Sequence, residues 1–336
     1  MTLPLTPIVP RVDNPAVVII GGANSDQKWQ TRARAVIGSS NPATVQISSG
    51  GVGRNVAENL ARMGVSSALI TAVGDDAEGD RIRREADAAG VDTRYIIVTP
   101  ESTGVYTVVL DSSGEMVIAV SDMAAMKVIS ADAVNARRSL IANTRCLVLD
   151  CNVPASGLIR AVELAADNDV PVIIDPVSVP KADLISAILA AGLPLHTITP
   201  NLDEMFRLTG TTGSSRADLC AACAQMHASN VRNVWISLGS SGSFLSVLKD
   251  VTQRVEMIAA APATLNNATG AGDAMLAGYV TGLLRGLDEF AAARLGRAAA
   301  AITIESAETV NPSMSLATLL ARADATGTPS FGSFSS

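Results

Sequence analysis

Apolar positions along this chain fall into short unbroken runs separated by stretches with helical spacing. Val17-Val18-Ile19-Ile20, Ser67 to Val73, Cys146-Leu147-Val148-Leu149, Val170 to Ile174 and Leu195 to Ile198 are such runs. Runs of this length without alternation predict parallel strands covered on both faces. Helical spacing predicts helices from about residue 52 to Met63 and over Glu78 to Ala89, Ala131 to Ala142, Ser156 to Asp167 and Ala182 to Ala191. From Ser130 to Ile198 strand and helix alternate with short connections, which predicts a parallel sheet with right-handed crossovers. The fold class expected is therefore α/β.

The texture differs between residues 95 and 120. Tyr95 to Val98, Val105 to Leu110 and Glu115 to Val120 are β runs without intervening helices, and Asp111-Ser112-Ser113-Gly114 reads as a hairpin loop. With residues 28–47 they predict a small β-sheet standing off the main body. Such a lid excludes water during group transfer. Further strands are expected at Val234 to Leu238, Phe244 to Leu248 and Arg254 to Ile258. Two alanine-rich helices follow, near 270–285 and 289–306, with Ala298 to Ala301 letting them approach closely. Met1 to Asn14 is rich in Pro and reads as a loose tail rather than a signal peptide. Residues 326–336 are a second such tail, which leaves 15–325 as the folded unit.

Candidate chemistry gathers where strands end and helices begin. Asn267-Ala268-Thr269-Gly270-Ala271-Gly272-Asp273 runs into a long apolar helix. Small residues at 270–272 let the backbone approach a ligand, and the unpaired amides of a helix start suit a phosphate. Asp273 in that first turn suits the removal of a proton from a hydroxyl attacking phosphorus. An acidic helix cap has the same appearance. Gly50-Gly51 precede a second helix whose first turns carry Arg54 and Asn55, and Asn24 and Asp26 follow the first strand. In open parallel sheets ligands bind at the carboxyl ends of strands, although turn chemistry also uses these residues. Asp150, Asn152 and Asp175 end later strands, where helix caps are also common. Asn201 and Glu204 have the spacing of a capping box and equally of a site ordering water around Mg2+. Ser237 and the turn Gly239-Ser240-Ser241-Gly242 offer a hydroxyl and amides to phosphate oxygens, or form a plain hairpin.

Composition narrows the partners. The 336 residues are 48% hydrophobic and 17% charged, with net charge -7. That excludes a disordered chain and argues against nucleic acid or an anionic membrane surface as partner. No apolar run approaches the ~20 residues of a membrane span. Of four cysteines, Cys220 and Cys223 form a CxxC inside a helical pattern, with no second pair to complete a zinc site. A reduced, cytoplasmic protein is expected. His196 and His227 are far apart and are read as structural.

The ordered set GG-x-x-x-N at 50–55, N-x-x-E at 201–204, S-L-G-x-x-G at 237–242 and T-G-A-G-D at 269–273 resembles the ribokinase (PfkB) family of small-molecule kinases. The resemblance covers nearly all of residues 16–320. It implies a three-layer α/β/α domain with a mostly parallel central sheet and a small β-sheet lid, and ATP as phosphate donor. It implies Asp273 as catalytic base and Gly270, Ala271 and Gly272 as an anion hole. Asn24, Asp26, Gly50, Gly51 and Asn55 would contact sugar hydroxyls. Asn201, Glu204, Ser237, Gly239, Gly242 and Thr269 would serve the nucleotide, with Mg2+ held by Glu204 through water. Asn267 and Thr269 fall at the family's monovalent-cation loop, where a neutral amide holds K+ less strongly than the usual carboxylate.

Within the family, Gly50-Gly51-Val52-Gly53-Arg54-Asn55, Val120-Ser121-Asp122-Met123, Asp150-Cys151-Asn152 and Asp175-Pro176-Val177-Ser178 resemble the pseudouridine kinases. The expected substrate is that nucleoside, phosphorylated on its 5'-hydroxyl. Arg54 and Asn152 would lie on the substrate side, and Asp122 with Thr103 to Thr107 would read the base. Another sugar or nucleoside acceptor, or a silent nucleoside sensor, stands as the alternative. A dehydrogenase does not fit, since residues 50–53 are not G-x-G-x-x-G. A homodimer through the lid sheet is expected from the resemblance.

Overall fold

The computed structural model describes residues 14–325; both expected tails fall largely or wholly outside them. Fourteen strands are described, beginning with β1 (Val17–Ile20), β2 (Asn24–Thr31), β3 (Ala43–Gly50), β4 (Ser67–Ile70), β5 (Ala72–Gly74), β6 (Ile97–Thr99), β7 (Gly104–Leu110) and β8 (Met116–Asp122). There follow β9 (Cys146–Asp150), β10 (Val172–Asp175), β11 (Leu195–Ile198), β12 (Val231–Ser237), β13 (Ser243–Lys249) and β14 (Thr252–Ile258). The helices are α1 (Val52–Arg62), α2 (Ala77–Ala88), α3 (Ala131–Asn135), α4 (Arg138–Ala142), α5 (Ala155–Ala166) and α6 (Asp183–Ala190). They continue with α7 (Leu202–Thr209), α8 (Arg216–Ala228), α9 (Ala271–Leu284), α10 (Glu289–Ile304) and α11 (Leu316–Ala325).

The main sheet has the order β14-β13-β12-β11-β10-β9-β1-β4. It is parallel from β4 through β12, and β13 and β14 add an antiparallel edge. All four residues of β1 are fully buried because both faces are covered. Val18 and Ile20 pack into a core shared with α5, α6 and α8, while Val17 and Ile19 pack into another shared with α1, α9 and α10. The layers are thus helix, sheet, helix, as expected. Helices α9 and α10 approach closely where Gly278 meets Gly296 and Ala299, the latter within the expected alanine stretch, and again at Gly282. A Cβ on Gly278 would lie 2.8 Å from the Gly296 Cα, and one on Gly282 the same distance from the Ala292 Cα.

A separate four-stranded sheet has the order β3-β2-β7-β8 and forms the lid. Residues 95–98, expected in it, belong elsewhere. Ile97 to Thr99 pair with Ala72 to Gly74, a strand that prolongs the line of β4, and Ile97 N–H donates to Thr71 O. The expected helix over 131–142 is broken into α3 and α4.

Candidate active site

The carboxyl ends of the parallel strands converge on a cleft beneath the lid, and one buried carboxylate assembles its floor. Asp150, at the end of β9, is 1% exposed. Its Oδ2 accepts the Gly22 and Gly53 N–H groups, each at 2.7 Å, and its Oδ1 accepts the Asn152 N–H at 2.8 Å. Burial holds this carboxyl above its ordinary range despite those donors. The clamp draws the start of α1 onto the turn after β1. Gly51 has φ 96°, and a Cβ on Gly53 would come within 2.7 Å of Gly21 Cα. These glycines allow backbone to touch backbone.

The same junction frames Asp26. Asn24 Nδ2 donates to Asp26 Oδ1 at 2.6 Å, and a side chain on Gly50 would fall onto the Asp26 carboxylate. Burial raises the Asp26 pKa. Facing this pair is α9, whose N-cap Gly270 has φ 81°. A Cβ on Gly270 would strike Thr309 O, whereas one on Gly272 would meet nothing within 4 Å. Gly272 therefore fronts open space at a helix start whose amides point outward. Ala271 N–H makes a long 3.3 Å bond to Ala268 O. Asp273 stands in this first turn, half-buried, and its Oδ2 accepts Asn55 Nδ2 at 2.8 Å. Loss of water around the carboxyl is the main cause that pushes its pKa up to about 7, with Asp150 and Asp26 adding to it. A carboxyl titrating near neutrality at a helix start can accept a proton from a hydroxyl held beside it.

Asp175 joins this acidic floor. Its Oδ1 accepts the Val177 N–H at 2.8 Å and its Oδ2 accepts Thr199 Oγ1 at 2.8 Å. Val177 has φ 67°, a strained value for a β-branched residue. Burial, then Asp273 and Glu204, push Asp175 up to about 8. In the sequence Asp150 and Asp175 look like ordinary acidic strand ends; full burial sets Asp150 apart, and Asp175 is half-buried.

Asn201 and Glu204 form a complete capping box, with Glu204 Oε2 accepting Asn201 N–H at 2.8 Å and Asn201 Oδ1 accepting Glu204 N–H at 2.9 Å. Glu204 is 5% exposed and burial raises its pKa. Its Oε1 remains outside the box, so the cap leaves an oxygen for other use. Ser237 N–H donates to Pro200 O at 2.9 Å, which ties the Gly239–Ser241 turn to the start of α7. Asn201, Glu204, Ser237, Gly239 and Gly242 are thereby gathered at the ends of β11 and β12. Asn267 Oδ1 accepts Thr269 N–H at 3.1 Å and its Nδ2 donates to Ala307 O at 3.1 Å. That amide shapes its own loop. Among the described residues there is no ready-made group of three or more metal-ligating side chains.

Two sequence expectations are corrected. Asp122 pairs with Val105, while Tyr106 and Ser121 align with Asp26. Since side chains alternate across a sheet, Asp122 lies on the face away from Asp26, and its Oδ1 accepts the Ala124 N–H. Tyr106, with Lys28, Gln46 and Ser48, lines the cleft between the lid and Thr269. Arg54 is 6% exposed and points into the protein, paired with Glu58. Asn152 lies over Gly22, and its Oδ1 accepts Lys181 Nζ at 2.5 Å. Lys181 had no motif to mark it.

Comparison with known proteins places this geometry. Residues 14–316 match the pfkB family carbohydrate kinase description. The chain belongs to the pfkB carbohydrate kinase family. It is 32% identical to the pseudouridine kinase of Escherichia coli (strain K12), over 90% of this chain and 95% of that protein. It is 31% identical to a Haemophilus influenzae ribokinase, over 77% and 82% of the two chains. The structure of Arabidopsis thaliana ribokinase complexed with ribose and ATP superposes with a TM-score of 0.80 at 25% identity, covering 92% of this chain and 99% of that one. As a member of the pfkB family the protein is an ATP-dependent small-molecule kinase with a ribokinase-like fold.

Proposed function

We propose that this kinase transfers the ATP γ-phosphoryl group to the 5'-hydroxyl of pseudouridine, giving pseudouridine 5'-phosphate and ADP. The observation that carries the reading is the Asn55–Asp273 hydrogen bond, which joins the two glycine-fed helix starts across one cleft. The likeness to the Escherichia coli pseudouridine kinase supports the choice of acceptor.

Asn24 and Asp26 grip the ribose hydroxyls, with Gly50 and Gly51 keeping the wall open. Asp273 takes the 5'-hydroxyl proton as the oxygen attacks phosphorus, and the first-turn amides of α9, from Gly270 to Gly272, receive the charge on the transferring group. Asn201, Glu204, Ser237, Gly239, Gly242 and Thr269 form the nucleotide side. Hard oxygen donors at Glu204 and Asp175 fit Mg2+ bound mainly through phosphates and waters, which needs no protein cage. When bound, Mg2+ supplies charge neutralisation at the phosphates. Asn267 Oδ1 accepts Thr269 N–H, and a neutral amide at this loop would hold K+ less strongly than a carboxylate. Tyr106 and Ser121, not Asp122, are the base readers on the lid, and Asn152, held by Lys181, closes the substrate side.

The exposed outer face of the lid suits a homodimer. ATP as donor and four unpaired thiols fit a cytoplasmic setting. The test is an ATP/Mg2+ coupled assay over pseudouridine, uridine, ribose, adenosine and fructose. Selective turnover of pseudouridine is expected. Preferred turnover of ribose would favour the second reading, which rests on the ribokinase likeness.

A further inference from the structure

Arg54 sits one residue before Asn55 and is withdrawn from the cleft. Its Nη1 donates to Ser49 O at 3.1 Å and to Asn55 Oδ1 at 3.2 Å, while its Nη2 pairs with Glu58. Glu58 is itself 4% exposed, and its Oε1 accepts Arg62 Nε at 2.8 Å and Nη2 at 2.7 Å. Arg62 Nη1 in turn donates to Pro312 O at 3.1 Å. A continuous line of polar contacts therefore runs from the Pro312 loop through α1 to Asn55 and Asp273.

An amide has an accepting and a donating end, and a guanidinium can only donate. Arg54 therefore fixes which way Asn55 points. A reversed Asn55 would set its N–H groups against the guanidinium and its oxygen against the Asp273 carboxylate. We propose that Arg54 is a positioning residue: it holds the Asn55 oxygen so that the amide N–H meets Asp273.

The groups around Asp273 make the charge matter. Asn55 and Arg54 face it from α1, Asp26 from β2, Asp150 from β9 and Asp175 from β10. Lost solvation and the Asp150 and Asp26 carboxyls oppose its ionisation, while the Asn55 hydrogen bond and Arg54 favour it. Glu58 keeps the guanidinium charged and in place, although burial lowers the Arg54 pKa.

The proposal rests on Asp273 as base, and its test is built to separate the two. An Arg54→Met/Glu58→Met double variant replaces the buried pair with apolar side chains, a change that commonly preserves folding. With the acceptor that the wild type turns over, kcat at pH 7 should fall about 10- to 100-fold, as for loss of other supporting partners. Its acidic limb should move to higher pH and KM for the acceptor should stay within about threefold. Arg54→Lys keeps the charge but cannot serve Ser49, Asn55 and Glu58 together. It should keep the limb in place and lower kcat about tenfold. An unchanged kcat and limb in both variants, or a rise in KM alone, overturns the proposal. Should the double variant not fold, wild-type kcat in Arg54→Lys overturns it. Carboxyl-carbon NMR titration of Asp273, assigned with Asp273→Asn, needs no turnover. An upward midpoint in Arg54→Met supports the role of Arg54 even where no acceptor on the panel reacts, and an unmoved midpoint ends it.

Discussion

Asp273 shows how much a single side chain can be asked to do in this fold. Its carboxyl is drawn up to about 7 by lost solvation, so it is partly ionised at neutral pH and can take a proton. Asp273→Asn should lower kcat by ~10^2 to 10^4 while ATP binding by calorimetry persists. The wild-type kcat profile should fall below about pH 7 as the base is protonated. The same shift has a stability consequence of definite sign. A carboxyl whose folded pKa lies above its unfolded value binds more protons when folded, so its contribution to stability declines as pH rises from about 4 to about 7. Asp273→Asn should therefore melt higher than wild type at pH 8, with the gap closing near pH 4. A gain of about 1 kcal/mol corresponds to roughly 2 °C in a chain of this size. At this scale the sequence marked the two glycine-fed helix starts that the structure brings together through Asn55 and Asp273. It marked Asp150 and Asp175 only as strand-end acids and gave no sign of Lys181, because nothing in a strand-end acid or a loop lysine announces a partner distant in the chain.

The glycines behave differently according to the element that surrounds them. Gly53 lies where α1 meets the end of β1, and any side chain there would press on Gly21 backbone. Gly272 lies in the first turn of α9 with open space before it and helical backbone geometry. Gly53→Ala should lower thermal stability by an amount typical of core overpacking, about 1–3 kcal/mol. Gly272→Ala should leave stability unchanged or raise it by up to ~1 kcal/mol, since a helix gains from losing a glycine. It should nonetheless depress kcat, because its methyl group enters the space assigned to the transferring phosphoryl group. Melting curves and turnover on the two variants separate a structural glycine from a ligand-facing one. If Gly272→Ala keeps wild-type turnover, the anion hole is placed elsewhere. The strand and helix elements of the main sheet were legible because both periodicities were strong. The lid was legible as a sheet but not in register. Asp122 and residues 103–107 were expected in the cleft together, but one step in pairing moves a side chain to the other face, so Tyr106 stands there and Asp122 does not.

The register of the lid also sets which apolar side chains it turns to solvent. Its inner face carries Asp26, Lys28, Gln46, Ser48 and Tyr106 toward the cleft. Its outer face aligns Trp29 with Val45 and Val109, Val109 with Ile118, and Thr107 with Val120. Ile118 is 55% and Val120 57% exposed, and Val45 and Ile47 are nearly as open. Ile118 and Val120 lie on β8, an edge strand of the lid with an unpaired side. A solvent-facing apolar sheet beside an open edge is a surface that associates unless charge or proline blocks it, and β8 carries neither along its apolar run. A second copy of the same face satisfies both needs at once, because an isologous contact is self-complementary. Sedimentation equilibrium of the wild type should therefore give a dimer, and Ile118→Asp/Val120→Asp should give a monomer. The double variant alters only the outer face, so Asp273 and the nucleotide turn keep their geometry. Its KM for the acceptor should nevertheless rise, since a lid without its partner loses the support that holds Asp26 and Tyr106 over the cleft. A dimeric double variant would remove this face from consideration. A monomer with unchanged KM would show that the lid holds its shape alone.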